Sequence, residues 1–263
     1  MHIPDGFLSG EACVAGAAVA GTGLAVCLRR LRQDERERDL PIAGLAAAFF
    51  LVGDAPMFPI TVGTQGHLLG GALAVSLLGP WLGAITVAVV AVIQALALGD
   101  GGISTLGLTI VTLALVPAFV GYPLAVALRR VLGGTPKGLA IACGIAAAVA
   151  VELSACVFVG EFALGAAVHV DLSKIAASTL GAYAVIAIVE GTITGLIVRA
   201  LLSVRPDLVR IAEPVRARWA STPAAPPAAP PASTPRPGPS RDDSWPPSDH
   251  RSSLDGARPE AVR

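Results

Sequence analysis

Long apolar stretches separated by short polar clusters occupy the first two hundred residues of the chain. Few charges fall within 8–28, 40–60, 67–78, 82–98, 103–128, 139–161 and 175–201. The hydrocarbon core of a bilayer needs roughly 20 apolar residues per helix, fewer where protein shelters the segment. Each stretch is therefore read as a helix crossing, or buried within, a membrane. The third is too short to cross alone, and Gly79-Pro80-Trp81 separates it from the fourth, which makes it a short buried or re-entrant segment. The expected fold is all-α: a polytopic membrane helical bundle of about seven transmembrane helices.

The polar clusters between the stretches set the orientation. With the amino terminus outside, the cytoplasmic connections hold Arg29, Arg30, Arg32, Arg36 and Arg38, then Arg129, Arg130 and Lys137, then Arg199, Arg205, Arg210, Arg216 and Arg218. Only Lys174 falls on the other side. Basic residues near span ends favour the cytoplasm, so the expectation is N-out and C-in, with an odd number of spans in a cell membrane. The first eleven residues carry Asp5 and Glu11 but no Lys or Arg, unlike the basic start of a secretory signal. The first span is thus expected to be retained, with Met1 as the mature terminus, because aminopeptidases favour small second residues and His2 is bulky.

Three regions follow. Residues 1–202 form the membrane domain, 203–220 a basic juxtamembrane segment, and 221–263 a tail. The Pro/Ala-rich stretch 221–240 and the polar remainder cannot bury enough apolar surface to offset chain entropy, so the tail is expected to be disordered.

Composition reinforces the membrane reading. Of the 263 residues 54% are hydrophobic and 14% charged, against about 25% charged in soluble domains. Nineteen basic residues balance nineteen acidic ones, so no global field would attract nucleic acid. The spans are rich in Ala, Gly, Ser and Thr, which lets helices pack closely where lipid supplies no hydrophobic drive for association. Cys13, Cys27, Cys143 and Cys156 lie singly in apolar stretches without a C-x-x-C pair and are read as packing residues.

The chemistry has to come from a few polar groups. His2 stands beside the chain start, where the Met1 amine, the His2 backbone nitrogen and its imidazole can close two fused chelate rings around one metal. That places three nitrogens nearly in a plane, and His67, on the same outer side in this topology, can supply a fourth. Square-planar nitrogen suits Ni(II) or Cu(II), whereas Zn(II) prefers tetrahedral sites and Mg(II) or Ca(II) prefer oxygen. Co(II) is intermediate. A plainer reading of the same spacing makes His2 an exposed terminal residue and His67 a satisfied histidine at a helix end.

The neighbouring residues separate these readings. Met1-His2-Ile3-Pro4-Asp5-Gly6-Phe7, Gly63-Thr64-Gln65-Gly66-His67-Leu68-Leu69-Gly70-Gly71, Leu78-Gly79-Pro80-Trp81, Gln94-Ala95-Leu96, Gly99-Asp100-Gly101-Gly102-Ile103-Ser104-Thr105-Leu106-Gly107 and Glu190-Gly191-Thr192-Ile193-Thr194-Gly195 together resemble the CbiM/NikM family over roughly residues 1–202. These are the substrate-binding components of cobalt and nickel energy-coupling-factor transporters. The resemblance implies a seven-helix subunit whose amino terminus folds back into the bundle. It also implies a metal held by the Met1 amine, the His2 amide nitrogen and imidazole, and the His67 imidazole. The transported substrate would be Co(II) or Ni(II), with no bound organic cofactor. The implied partners are a transmembrane coupling subunit, two ABC ATPase subunits and a small accessory membrane protein. Where many relatives carry two asparagines after the Gly-Gly turn, this chain has Thr109 and Thr112, a departure that bears on contacts around the site.

The chain is expected to be a transporter subunit rather than an enzyme. Its nearest approach to a phosphate-binding loop, Gly133-Gly134-Thr135-Pro136-Lys137-Gly138, lacks the G-x-x-x-x-G-K-[ST] spacing and the hydroxyl. No H-E-x-x-H is present for an intramembrane metalloenzyme. The competing reading is a secondary divalent-metal permease, in which Asp54, Glu152 and Glu190 form a proton-coupled path and no ATPase is needed. Charges at bilayer depth are costly, so these three carboxylates should face the bundle or an interface. His169, beside Asp171, is read as a solvated loop residue, and His250 lies in the tail.

Overall fold

Helix α1 (Gly10–Gln33) opens a bundle that the computed structural model describes over residues 1–33, 39–61, 64–169 and 171–220. Arg36, Arg38, Gly63, His250 and the tail 221–263 lie outside these residues. Helix α2 (Asp39–Gly53) leads into an antiparallel hairpin, β1 (Phe58–Thr61) and β2 (Thr64–Gly66). Short α3 (Gly71–Leu78) turns at Gly79 into α4 (Pro80–Ile93), which a π-helical turn extends to Leu98. Helices α5 (Leu106–Ile110) and α6 (Tyr122–Val131) are the ends of one 26-residue helix, joined through π-helical turns at Val111–Leu115 and Pro117–Gly121. The hairpin of α7 (Pro136–Gly165) and α8 (Leu172–Val204) completes the bundle, and α9 (Glu213–Ala220) ends it.

Among the described residues, five helices are long and apolar enough to cross a membrane: Gly10–Gln33, Pro80–Leu98, Leu106–Val131, Pro136–Gly165 and Leu172–Val204. They overlap five of the seven expected spans. Of the other two, 40–60 ends early as a helix, while 67–78 is the short buried helix expected, starting later than expected. The stretch 40–60 is helical only to Gly53, because Pro56 disfavours helical geometry at Ala55 and the chain turns at Asp54 into β1. The stretch 67–78 does not begin as a helix at His67: residues 67–70 are irregular, Gly70 sits at φ +64°, and α3 starts at Gly71.

The packing suits a lipid solvent. Large side chains such as Val14, Leu45, Leu164, Ile188 and Leu196 face outward, while Ala74, Ala84, Ala114, Ala142, Ala147 and Ala155 are fully buried. Without a hydrophobic drive between helices, small residues inside let backbones touch. At Gly144 and Gly191 the backbones of α7 and α8 meet: a Cβ on either would lie 2.7 Å from the other's carbonyl oxygen, so any side chain would push the two helices apart. Cys13, Cys27 and Cys143 are buried packing residues as expected, whereas Cys156 is exposed.

The two ends of the bundle are built differently. At one end residues 205–220 fold back onto the helices, with Val209, Ile211 and Ala212 buried in the main core. Arg129 donates to the Ile211 carbonyl at 2.6 Å, Trp219 donates to the Gly134 carbonyl at 2.9 Å, and Arg210 pairs with Asp39 and Glu213. At the other end of α7, Ser9 donates to the Gly165 carbonyl at 2.8 Å and Ala167 to the Phe7 carbonyl at 2.9 Å. These bonds bring the amino-terminal segment into the bundle.

Candidate metal centre

Residues 1–8 enter the protein as a strap stitched along both edges. Beyond the α7 contacts, the loop between Leu98 and Leu106 grips the other side. Gly102 donates its amide to the Ile3 carbonyl at 2.8 Å, and Thr105 donates its hydroxyl to the same oxygen at 2.6 Å. Asp5 accepts from the amides of Ile103 and Ser104 at 3.2 and 2.9 Å and from the Ser104 hydroxyl. The glycines of this loop make the approach possible. A Cβ on Gly101, which sits at φ +85°, would lie 2.9 Å from the His2 Cβ, and one on Gly102 would lie 2.6 Å from the Asp5 nitrogen.

The strap delivers Met1 and His2 to a buried position against His67. Met1 is 1% exposed, His2 3% and His67 0%, so His2 is not the exposed terminal residue of the plainer reading. The Met1 nitrogen lies 2.8 Å from His67 Nε2, and the rings of His2 and His67 stack with centroids 4.8 Å apart and planes 18° from parallel. His67 Nδ1 lies 2.5 Å from the Leu68 carbonyl oxygen. That oxygen can only accept, so Nδ1 carries the proton and Nε2 presents its lone pair to the amine. His2 Nε2 is buried with no hydrogen-bond partner.

Burial keeps these nitrogens unprotonated. It pushes the Met1 amine down to about 5 against the opposing pull of nearby carboxylates, and it pushes His2 down to about 3, helped by the adjacent amino terminus. Among the described residues no three His, Cys, Asp or Glu side chains cluster as a metal site. A nitrogen site at this place has to draw on the main chain.

The carboxylates sort themselves around the amine. Asp54, Glu190, Asp100 and Glu161 all act on it. Asp54 is buried and bonded to Gln94, and Glu190 accepts the Leu69 amide at 2.7 Å. Glu152 is not among these four; its Oε2 is buried without a partner. His169 is exposed, and Asp171 caps α8 through the amides of Ser173 and Lys174. Thr112 returns its hydroxyl to its own helix, at the carbonyls of Leu108 and Thr109. The clamp that Asp5 and Thr105 form was missed in the sequence; the signal for it was the Gly-Asp-Gly-Gly-Ile-Ser-Thr run, whose small and hydroxyl residues suit a backbone clamp.

Known proteins share this arrangement of helices. The family model for the cobalt uptake substrate-specific transmembrane region, CbiM, matches residues 2–208. A protein of Haloquadratum walsbyi whose name assigns it to metal transport is 36% identical over 211 residues, covering 80% of this chain and 93% of its own. The cobalt transport protein CbiM of Geobacter sulfurreducens is 32% identical over 214 residues, covering 80% of this chain and 61% of its own. The fused nickel transport protein NikMN of Rhodobacter capsulatus is 38% identical over 120 residues, covering 46% of this chain and 35% of its own. A crystal structure of a transition metal transporter superposes with a TM-score of 0.72 at 28% identity, covering 83% of this chain and 99% of that one. With a family match over most of its length and, among the described residues, five helices able to cross a bilayer, this multi-pass membrane protein belongs to the CbiM family of cobalt and nickel transport proteins.

Proposed function

We propose that this chain is the substrate-capture subunit of an ATP-driven cobalt/nickel uptake transporter. It would bind Co(II) or Ni(II) from the outer side of the membrane in a square of four nitrogens: the Met1 amine, the His2 amide nitrogen, the His2 imidazole and the His67 imidazole. The observation that carries the reading is the 2.8 Å separation of the Met1 nitrogen and His67 Nε2, with the His2 ring stacked beside them. Nitrogens about 2 Å from a metal occupy neighbouring corners of a square about 2.8 Å apart. Amine and His67 are neighbours in that square, because the amide nitrogen holds the corner between the amine and the His2 imidazole.

Charge favours the same reading. A dication bound to one ionised amide leaves a net charge of +1, and Asp54, Glu190, Asp100 and Glu161 act on the amine with the opposite sign. Ni(II) and Cu(II) displace an amide proton near neutral pH far more readily than Zn(II), so geometry and acidity together select against zinc. Transport would be powered by two ABC ATPase subunits acting through a transmembrane coupling subunit, with a small accessory membrane protein, since this chain carries no phosphate-binding loop of its own. The cluster of basic residues at the end holding Arg129, Arg210 and Arg216 supports a cytoplasmic carboxyl terminus.

The test is Ni(II) titration of the purified chain beside one extended by two residues before Met1. Extension should cost more than 100-fold in affinity, as should His67→Ala, while His169→Ala should bind like the native chain. Native affinity in the extended protein would reject the chelate. Mass spectrometry of the native chain should find Met1 with a free amine. Cells lacking the ATPase partners should take up no metal through it; continued uptake would favour the secondary permease.

A further inference from the structure

Residues 67–70 belong to no helix or strand, so their amides have no regular partner and their position must be fixed from outside. The partner is Glu190, in the middle of α8 and 121 positions away. Its Oε2 accepts the Leu69 amide at 2.7 Å, with the Gly70 amide next along the chain, while its Oε1 is buried without a hydrogen-bond partner. Both amides stand at the head of α3, where Gly70 offers no side chain to cap the helix and the helix dipole favours negative charge. Glu190 is 3% exposed and Leu69 2%, so water cannot substitute as acceptor. Phe50 closes the other side of Gly70: a Cβ there would lie 2.7 Å from its ring.

We propose that Glu190 is a positioning residue for metal capture, its carboxylate pinning residues 69–70 at the head of α3 and so holding the His67 imidazole against the amino terminus. The inference rests on the metal site proposed above. Groups behind metal ligands typically govern affinity by 10–100-fold. The hydrogen bond does the positioning, so a side chain of equal length with an accepting oxygen should largely replace glutamate. One shorter by a methylene should not, although it keeps the charge.

The experiment titrates Ni(II) into the full chain in detergent and records the visible absorption of the bound metal, which reports how many nitrogens hold it and in what geometry. Glu190→Gln should stay within about 3-fold of native affinity with an unchanged spectrum. Glu190→Asp and Glu190→Ala should bind 10–100-fold more weakly, with a shifted spectrum as the fourth nitrogen loosens. Should Glu190→Ala not fold, the Gln and Asp variants decide the matter between them. Native behaviour of Glu190→Asp, or a loss in Glu190→Gln as large as in Glu190→Asp, overturns the inference, because the charge rather than the reach would then matter. His67→Ala in the same series separates the two proposals. Native binding in that variant defeats the metal site itself, whereas loss there beside native spectra throughout the Glu190 series defeats only the positioning role.

Discussion

Asp5 and Ser104, 99 positions apart, meet through the Ser104 amide at 2.9 Å and through its hydroxyl, and this pair ties the amino-terminal strap to the loop before α5. The Ser104 hydroxyl, then its amide, hold the Asp5 carboxyl below the usual carboxylate range. A lowered carboxyl stabilises the fold above its unfolded value of about 3.9, and that contribution disappears as pH falls through the lower folded value. The clamp should therefore be indifferent to pH between 5 and 8 and release only below about pH 4. Asp5→Ala removes it at every pH. Losing hydrogen bonds worth about 1 kcal/mol net should weaken Ni(II) binding about 3- to 10-fold at pH 7, measured by calorimetry. Equal affinity in the variant would mean that the strap is held by its other bonds alone.

Gly101 supplies a sharper test of the same strap. Its φ of +85° disfavours any side chain, and the added Cβ of Gly101→Ala would lie 2.9 Å from the His2 Cβ and 3.1 Å from Nδ1. The variant should displace the His2 ring and weaken Ni(II) by more than 10-fold. Gly21→Ala, where nothing lies within 4 Å of the new carbon, should bind normally. The pair controls for expression and detergent effects.

The apolar stretches read from sequence became helices wherever they ran uninterrupted, as in α1, α7 and α8, since length and hydropathy suffice to choose a helix in lipid. Failure came where a local signal outweighed average hydropathy: Pro56 stops α2 early, and Gly70 delays α3. That Met1, His2 and His67 belong together was read from chelate chemistry and the family resemblance, and the structure places the three in one buried contact. Asp5–Ser104 and Glu190–Leu69 were not legible, because a hydrogen bond spanning 99 or 121 positions leaves no periodic trace. Glu190 was visible as an expensive charge in a span and as the head of a family-like segment, facts that demand a partner without naming it.

Proton release on metal binding discriminates a buried, prepared site from an exposed one. A free Met-His terminus at pH 7 would give up about two protons per metal, from amine, amide and part of the imidazole. Here the amine is pushed down to about 5 and His2 to about 3. Both are already neutral at pH 7, so only the amide proton remains to leave. Calorimetry of Ni(II) binding in buffers of different ionisation enthalpy should return about one proton per metal at pH 7. The count should rise, and affinity fall more steeply, once pH drops below about 5. Two protons at pH 7 would mean that the terminus is exposed before the metal arrives.

The opposite end of the bundle should respond in the opposite way. Arg129 is buried, and its guanidinium donates to the Ile211 carbonyl at 2.6 Å, fastening the returning segment that also buries Val209 and Ala212. Arg129→Met keeps much of the aliphatic bulk but leaves that carbonyl without its donor. Hydrogen bonds to charged groups contribute about 1.5–3 kcal/mol, which in a chain of this size corresponds to a fall in Tm of roughly 3–10 °C. Trp219→Phe, which removes the neutral Nε1 donor to Gly134 and trims the ring packed on the core, should also lower the baseline Tm. Neither change should alter Ni(II) affinity by more than about 2-fold, because α7 separates this end from the amino-terminal strap by 30 residues, about 45 Å of helix. Thermal unfolding with and without Ni(II) measures both quantities in one series: the metal-induced rise in Tm should be the same in the native chain and in both variants, while the baseline Tm of the variants falls. A smaller metal-induced rise in Arg129→Met would show that the returning segment and the metal centre share one cooperative unit.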